Sequence, residues 1–138
     1  MVPDMENESL SYLYTPEIEV LPEPSGPGNT LFPMFVKFDK FEVLIVGGGK
    51  VGLEKIRAVL HNSPETRVTL VGQHISSEIN DFATAYPQVI LREKPFERHD
   101  LSGKQFVIAA TDEPHLNRQI KALAAGRGIL TNVADTPD

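Results

Sequence analysis

Phe41-Glu42-Val43-Leu44-Ile45-Val46-Gly47-Gly48-Gly49-Lys50-Val51-Gly52 decides how the rest of this chain is read. The first six residues form a short apolar run that stops at three glycines, which is the pattern of a central strand buried on both faces. Leu53, Ile56, Val59 and Leu60 then recur at helical spacing with Glu54, Lys55 and Arg57 between them, and Asn62-Ser63-Pro64 stops the helix. Strand, glycine loop and helix follow one another without a gap. At their junction Gly47, Gly49 and Gly52 stand in G-x-G-x-x-G spacing. In a dinucleotide site the first such glycine permits a tight turn, the second lets backbone approach a pyrophosphate, and the third lets helix and strand pack closely. The helix start adds unpaired N–H groups and a partial positive charge. Lys50 can contact phosphate there or stand solvated.

Outward from this unit the chain alternates strand and helix, the pattern of a parallel sheet wrapped by helices. A second strand fits Arg67 to Val71, a second helix Ser76 to Tyr86, and a third strand Val89 to Arg92. Pro95 begins a connection with little pattern. Phe106 to Ala110 reads as the fourth strand and Asp112 as a helix cap with Pro114 in the first turn. Leu116, Ile120, Leu123 and Ala124 form the inward stripe of that helix, Gly126 and Gly128 end it, and Ile129 to Val133 is the fifth strand. Right-handed crossovers then give an α/β, Rossmann-type parallel sheet with strand order 3-2-1-4-5, helices on both faces, and ligands bound at its carboxyl edge beside strand one.

One part of the dinucleotide pattern is missing. An acid about twenty residues past the glycine loop commonly binds a ribose 2′-hydroxyl, yet Val71-Gly72-Gln73-His74 occupies that place. Gln73 could bond ribose without a charge, and no arginine adjoins it to favour a 2′-phosphate.

The bulk composition narrows the setting. At 138 residues one domain with one core is expected. The absence of cysteine excludes a disulfide framework, a thiolate metal site and a cysteine nucleophile, and fits the cytoplasm. No apolar run is long enough to span a bilayer. The net charge of −6 arises entirely from Asp4, Glu6, Glu8, Glu17, Glu19 and Glu23, so the remainder is balanced and shows no basic stripe for nucleic acid or membrane. Residues 1–29, acidic and holding Pro3, Pro16, Pro22, Pro24 and Pro27, read as a flexible extension, with residues 30–138 as the folded domain. The alternative for the extension is an arm docked through Tyr12, Leu13, Tyr14 and Ile18. His61, His74, His99 and His115 lack the paired spacing of a metal site, so no metal is expected and each reads as a surface histidine. Asn117 fits either a helix surface or a functional role.

Three separated stretches carry a family likeness: LFPMFVKFDKFEVLIVGGGKVGLEKIRAVL over residues 31–60, FVIAATDEPHLN over 106–117, and ILTNVADTP over 129–137. Together they resemble the precorrin-2 dehydrogenase domain of siroheme synthases. The resemblance implies NAD-dependent oxidation of precorrin-2 to sirohydrochlorin, and in bifunctional relatives the same pocket also inserts ferrous iron. It implies that Gly47, Gly49, Lys50, Val51, Gln73, His74, Ala110 and Thr111 line the cofactor, and that Asp135 is the catalytic aspartate. Judged by its neighbours alone, Asp135 before Thr136-Pro137 reads as a turn-former more readily than as a catalytic residue. Related chains form homodimers through a C-terminal segment that also helps close the substrate pocket. This sequence stops three residues past Asp135, so the resemblance leads one to expect a fragment. A nucleotide-binding regulatory module without catalysis is the alternative, although it has no need of the ILTNVADTP match.

Overall fold

The computed structural model describes the backbone of Ile18–Val20 and Met34–Val36, and residues 41–134 in full. The chain divides into two compact units, Met1–Lys37 and Phe38–Asp138. In the first, strands β1 (Ile18–Val20) and β2 (Met34–Val36) pair antiparallel, with Ile18 opposite Val36 and Val20 opposite Met34. Three residues of the stretch read as an extension therefore carry regular strand pairing. The remainder of residues 1–29 lies outside the described residues, and the division into extension and domain stands as a proposal.

The second unit is built on β3 (Glu42–Val46), α1 (Lys50–Asn62), β4 (Arg67–Gly72), α2 (Ser77–Ala83), β5 (Ile90–Glu93), a 3₁₀ turn (Arg98–Leu101), β6 (Phe106–Ala109), α3 (Pro114–Ala125) and β7 (Leu130–Val133). Its five strands are parallel in the order β5-β4-β3-β6-β7, which is the expected 3-2-1-4-5. The apolar run at the centre explains why β3 takes the middle place. Val43, Leu44 and Ile45 are wholly buried, as only a strand covered on both faces can be. Successive side chains point to opposite faces. Leu44 and Val46 accordingly join Val71, Leu101, Val107, Ala109 and Ile120 in one core cluster. Crossovers toward opposite edges put α1 and α3 on opposite faces, with α1 packed on β3 and α3 on β6 and β7.

The amino ends of the central strands are fastened by polar contacts. Gln105 Oε1 accepts the Glu42 N–H at 2.8 Å, and Arg67 Nε donates to Glu42 Oε2 at 2.6 Å. The carboxyl ends carry the loops that matter for function.

Three local expectations need correction. Helix α2 ends at Ala83 rather than Tyr86, because Pro87 disfavours helical backbone in the residue before it and the Thr84 hydroxyl donates to the Asp81 carbonyl instead. The cap of α2 is Ser76, whose Oγ accepts the Ile79 N–H at 3.2 Å. The patternless connection after β5 contains the 3₁₀ turn, which inserts Leu101 into the core and is too short to show any period.

Candidate functional site

Loops leaving β3, β4 and β6 surround a cavity of about 560 Å³ at the carboxyl edge of the sheet. That volume suits a small organic ligand. Gly47, Gly49, Lys50, Val51, Gln73, His74, Ala110 and Thr111 all line it, so eight residues picked from sequence converge on one space. Gly52 does not line it. It lies buried in the first turn of α1, where an added Cβ would strike the Gly47 carbonyl.

The glycine loop divides into two pairs. Gly47 and Gly48 are buried, whereas Gly49 and Lys50 are exposed. Gly47 has φ +135°, which side-chain-bearing residues rarely adopt, and a Cβ there would land on the Ala110 carbonyl. A Cβ on Gly48 would collide with the His74 carbonyl. Packing alone thus demands glycine at 47, 48 and 52 whether or not anything binds. Gly49 differs. Its φ of −103° and ψ of −150° suit any residue, and a Cβ there would meet nothing within 4 Å. Space in the fold does not require glycine at 49, and its place before α1 favours glycine only as an N-cap does.

Gly49 is also the N-cap of α1, with no side-chain cap and no acid in the first turn. The leading N–H groups and the positive end of the helix dipole are therefore left available to an anion. Lys50 is the only lysine or arginine among the lining residues, while Asp112 and Glu113 stand among them on the loop after β6.

That second loop is held by side chains. Asn117, one of two buried polar residues among the described residues, accepts the Thr111 N–H at 3.1 Å and the Thr111 hydroxyl at 2.6 Å through Oδ1. Its Nδ2 donates to the Thr111 carbonyl at 3.1 Å. Thr111 Oγ1 in turn accepts the Glu113 N–H at 3.1 Å. No side chain caps α3; Thr111 and Asn117 instead hold the loop that leads into its N-cap, Glu113. Asp112, expected as the cap, is exposed and makes no capping bond, while Pro114 does sit in the first turn. Asn117 is neither a helix-surface residue nor exposed to ligand.

Phe96, Val46 and Leu116 supply an apolar part of the lining. The segment carrying Phe96 is pinned by Lys94, whose ammonium bonds Asp100 at 2.7 Å and Glu97 at 3.1 Å. Burial pushes the Asp100 carboxyl up, but the hydrogen bonds from Lys94 and the Glu97 N–H, with the Lys94 and His99 charges, outweigh it and hold it below the usual carboxylate range. Desolvation likewise pulls Lys94 down, and its two carboxylate partners more than reverse this to raise it.

Residues that the sequence does not mark as lining are Val46, Gly48, Gly72, Phe96, Asp112, Glu113 and Leu116. All four histidines are exposed. Among the described residues no three His, Cys, Asp or Glu gather as a metal site would require, and no helix is long and apolar enough to cross a membrane. Asp135 lies outside the described residues.

Comparison with known proteins adds relatives. A family model described as "Putative NAD(P)-binding" matches residues 34–138. Siroheme synthase from Ectopseudomonas mendocina is 40% identical over 105 residues, covering 76% of this chain and 22% of that protein. Siroheme synthase from Nitrosomonas europaea is 32% identical over 106 residues, with 77% and 22% covered. Among solved structures, SirC, precorrin-2 dehydrogenase, aligns with a TM-score of 0.57 at 27% identity, covering 71% of this chain and 46% of that one. The chain therefore spans about a fifth of the length of the curated relatives it matches.

Proposed function

This chain belongs to the family described as "Putative NAD(P)-binding", and from that premise we propose that it binds NAD in the carboxyl-edge cavity and oxidises precorrin-2 to sirohydrochlorin in siroheme synthesis. The observation that carries the binding half is the empty space beside Gly49, at an uncapped helix start, in a loop whose other glycines are explained by packing. The substrate half is supported by the relatives named siroheme synthase and by the structural likeness to a precorrin-2 dehydrogenase.

Gly47, Gly49, Lys50 and Val51 would hold the pyrophosphate, Gln73 and His74 the adenosine side, and Ala110 and Thr111 the opposite wall, with Gly52 setting the helix close to the loop. When bound, NAD supplies the acceptor for the hydride removed from the macrocycle. The chain's own work is threefold. The α1 N-terminus and Lys50 balance the pyrophosphate charge. Phe96, Leu116 and Val46 exclude water from the inner part of the cavity. A base must accept the proton left when a hydride and a proton depart from precorrin-2, and we assign that role to Asp135. Support for the assignment comes from the family motif and from the neighbouring backbone, since the Ala134 N–H donates to the Ala109 carbonyl at 2.9 Å, beside the carboxyl end of β6. A cytoplasmic location and a homodimer belong to the same proposal.

The test is incubation of the chain with precorrin-2 and NAD while NADH absorbance is followed. NADH formed in step with sirohydrochlorin is the expected result. NAD binding without turnover would favour a nucleotide-binding module instead, and no binding would remove both readings.

A further inference from the structure

Strand β4 ends without the acid that commonly reads an adenosine ribose, but the sheet brings one in from the neighbouring strand. Parallel pairing sets Gly72, the last residue of β4, beside Glu93, the last residue of β5. Neighbouring strands lie about 4.8 Å apart. Glu93 Oε2 accepts the Ile75 N–H at 2.9 Å, so its carboxylate is tied to the turn whose Gln73 and His74 line the cavity. The same turn is stitched to the glycine loop by the Ser76 N–H bond to the Gly48 carbonyl at 2.9 Å. The acid is therefore tied through the Ile75–Ser76 turn to the glycine loop, beside the cavity rim and not among its lining residues. Glu93 is exposed, and its Oε1 has no partner among the described residues.

We propose that Glu93 is the specificity-determining residue that makes this site prefer a dinucleotide with a free ribose 2′-hydroxyl over one phosphorylated there, an inference that rests on the dinucleotide reading above. A carboxylate beside the end of β4 can accept a hydrogen bond from a 2′-hydroxyl and repels a 2′-phosphate. Cations that could reverse the preference are committed or misplaced. The Lys94 ammonium is taken by Asp100 and Glu97. Arg92 precedes Glu93 in the strand and so points to the opposite face of the sheet. Gln73 is neutral and can bond either ribose. The missing acid on β4 is thus replaced in space by Glu93, twenty-one residues beyond Gly72.

Titrating the chain with NAD and with NADP, before and after Glu93→Gln, tests the proposal. Glutamine keeps an acceptor for the Ile75 N–H and removes the charge. The parent should bind NAD more tightly than NADP. In Glu93→Gln the ratio of the two affinities should narrow by roughly ten-fold, about 1.4 kcal/mol, with the melting temperature held. In the parent alone the ratio should narrow as salt is raised, because repulsion between exposed charges is screened. An unchanged ratio in folded Glu93→Gln overturns the inference, as does a parent that prefers NADP. Should the variant fail to fold, a parent ratio indifferent to salt overturns it equally. A parent that binds neither dinucleotide defeats the dinucleotide reading itself, a result distinct from binding NAD with a ratio that Glu93 does not control.

Discussion

The loops that leave β3 and β6 both line the cavity, and they are held by opposite means. The glycine loop owes its shape to atoms that are missing: no Cβ on Gly47 strikes Ala110, none on Gly48 strikes His74, and none on Gly52 strikes Gly47. The loop after β6 owes its shape to atoms that are present, since Asn117 satisfies the N–H, carbonyl and hydroxyl of Thr111 from one buried amide. They meet where Gly47 lies against the Ala110 carbonyl. Shape made by absence tolerates no addition, and shape made by hydrogen bonds tolerates no deletion. Only Gly49 escapes the first rule, and the proposed dinucleotide approaches from its side.

The comparison can be broken most forcefully at the meeting point. Gly47→Ala combines a positive φ with a collision against backbone that cannot rotate away, so it should cost about 3–5 kcal/mol in stability. A chemical-denaturation midpoint close to that of the parent would show that the two loops are not in fact wedged together. The second break lies on the other loop. Asn117→Ala strands the Thr111 N–H and carbonyl and should cost about 2 kcal/mol. Thr111→Ser keeps every polar atom and should stay within about 1 kcal/mol of the parent. Equal losses in the two variants would mean that Thr111 packs through its methyl and that the hydrogen-bond account is wrong.

A third, smaller effect sharpens the comparison by testing the segment that carries Phe96. Because the folded Asp100 carboxyl titrates below its usual range, its contribution is complete above that range and is lost as pH falls through it toward the folded value. Lys94, raised in the fold, contributes below its ordinary value of 10.5 and loses that contribution as pH rises past it. Asp100→Asn should therefore cost about 1 kcal/mol at neutral pH and flatten the acid limb of the stability profile. A parallel acid limb in the variant would contradict this.

How much of this was legible in sequence follows from the same contrast. The buried run at β3, the helical stripe of α1 and the glycine spacing are periodic or positional patterns. They sufficed for the strand order and for Gly47, Gly49, Lys50 and Gln73 in the cavity, whereas Val51, His74, Ala110 and Thr111 followed from the family resemblance. What hid were contacts without a period. Asp112 looked like the cap of α3 because capping residues precede helices, but the N-cap is Glu113 with no side-chain bond, and Thr111 and Asn117 fix the loop before it across six residues of chain. Gly48 occupied a variable position of the motif and gave no hint that it packs on His74. Glu93 lies beside Gly72 only because β4 and β5 pair in one particular register, which local residue types leave open. The 3₁₀ turn is four residues long, too short for any repeat to show. Asp135 followed from the family motif, and its role stays a proposal.

The smallest expected change in stability belongs to the variant that tests the central claim most directly. Gly49→Val places a branched side chain into open space at a helix N-cap, so it should cost under about 1 kcal/mol. Calorimetric titration of that variant with NAD, with its melting curve recorded alongside, should show a folded protein that no longer binds, because the side chain fills the space reserved for the pyrophosphate. A folded Gly49→Val protein with the parent's affinity for NAD would contradict the account, since the opening beside Gly49 could then not be the dinucleotide site.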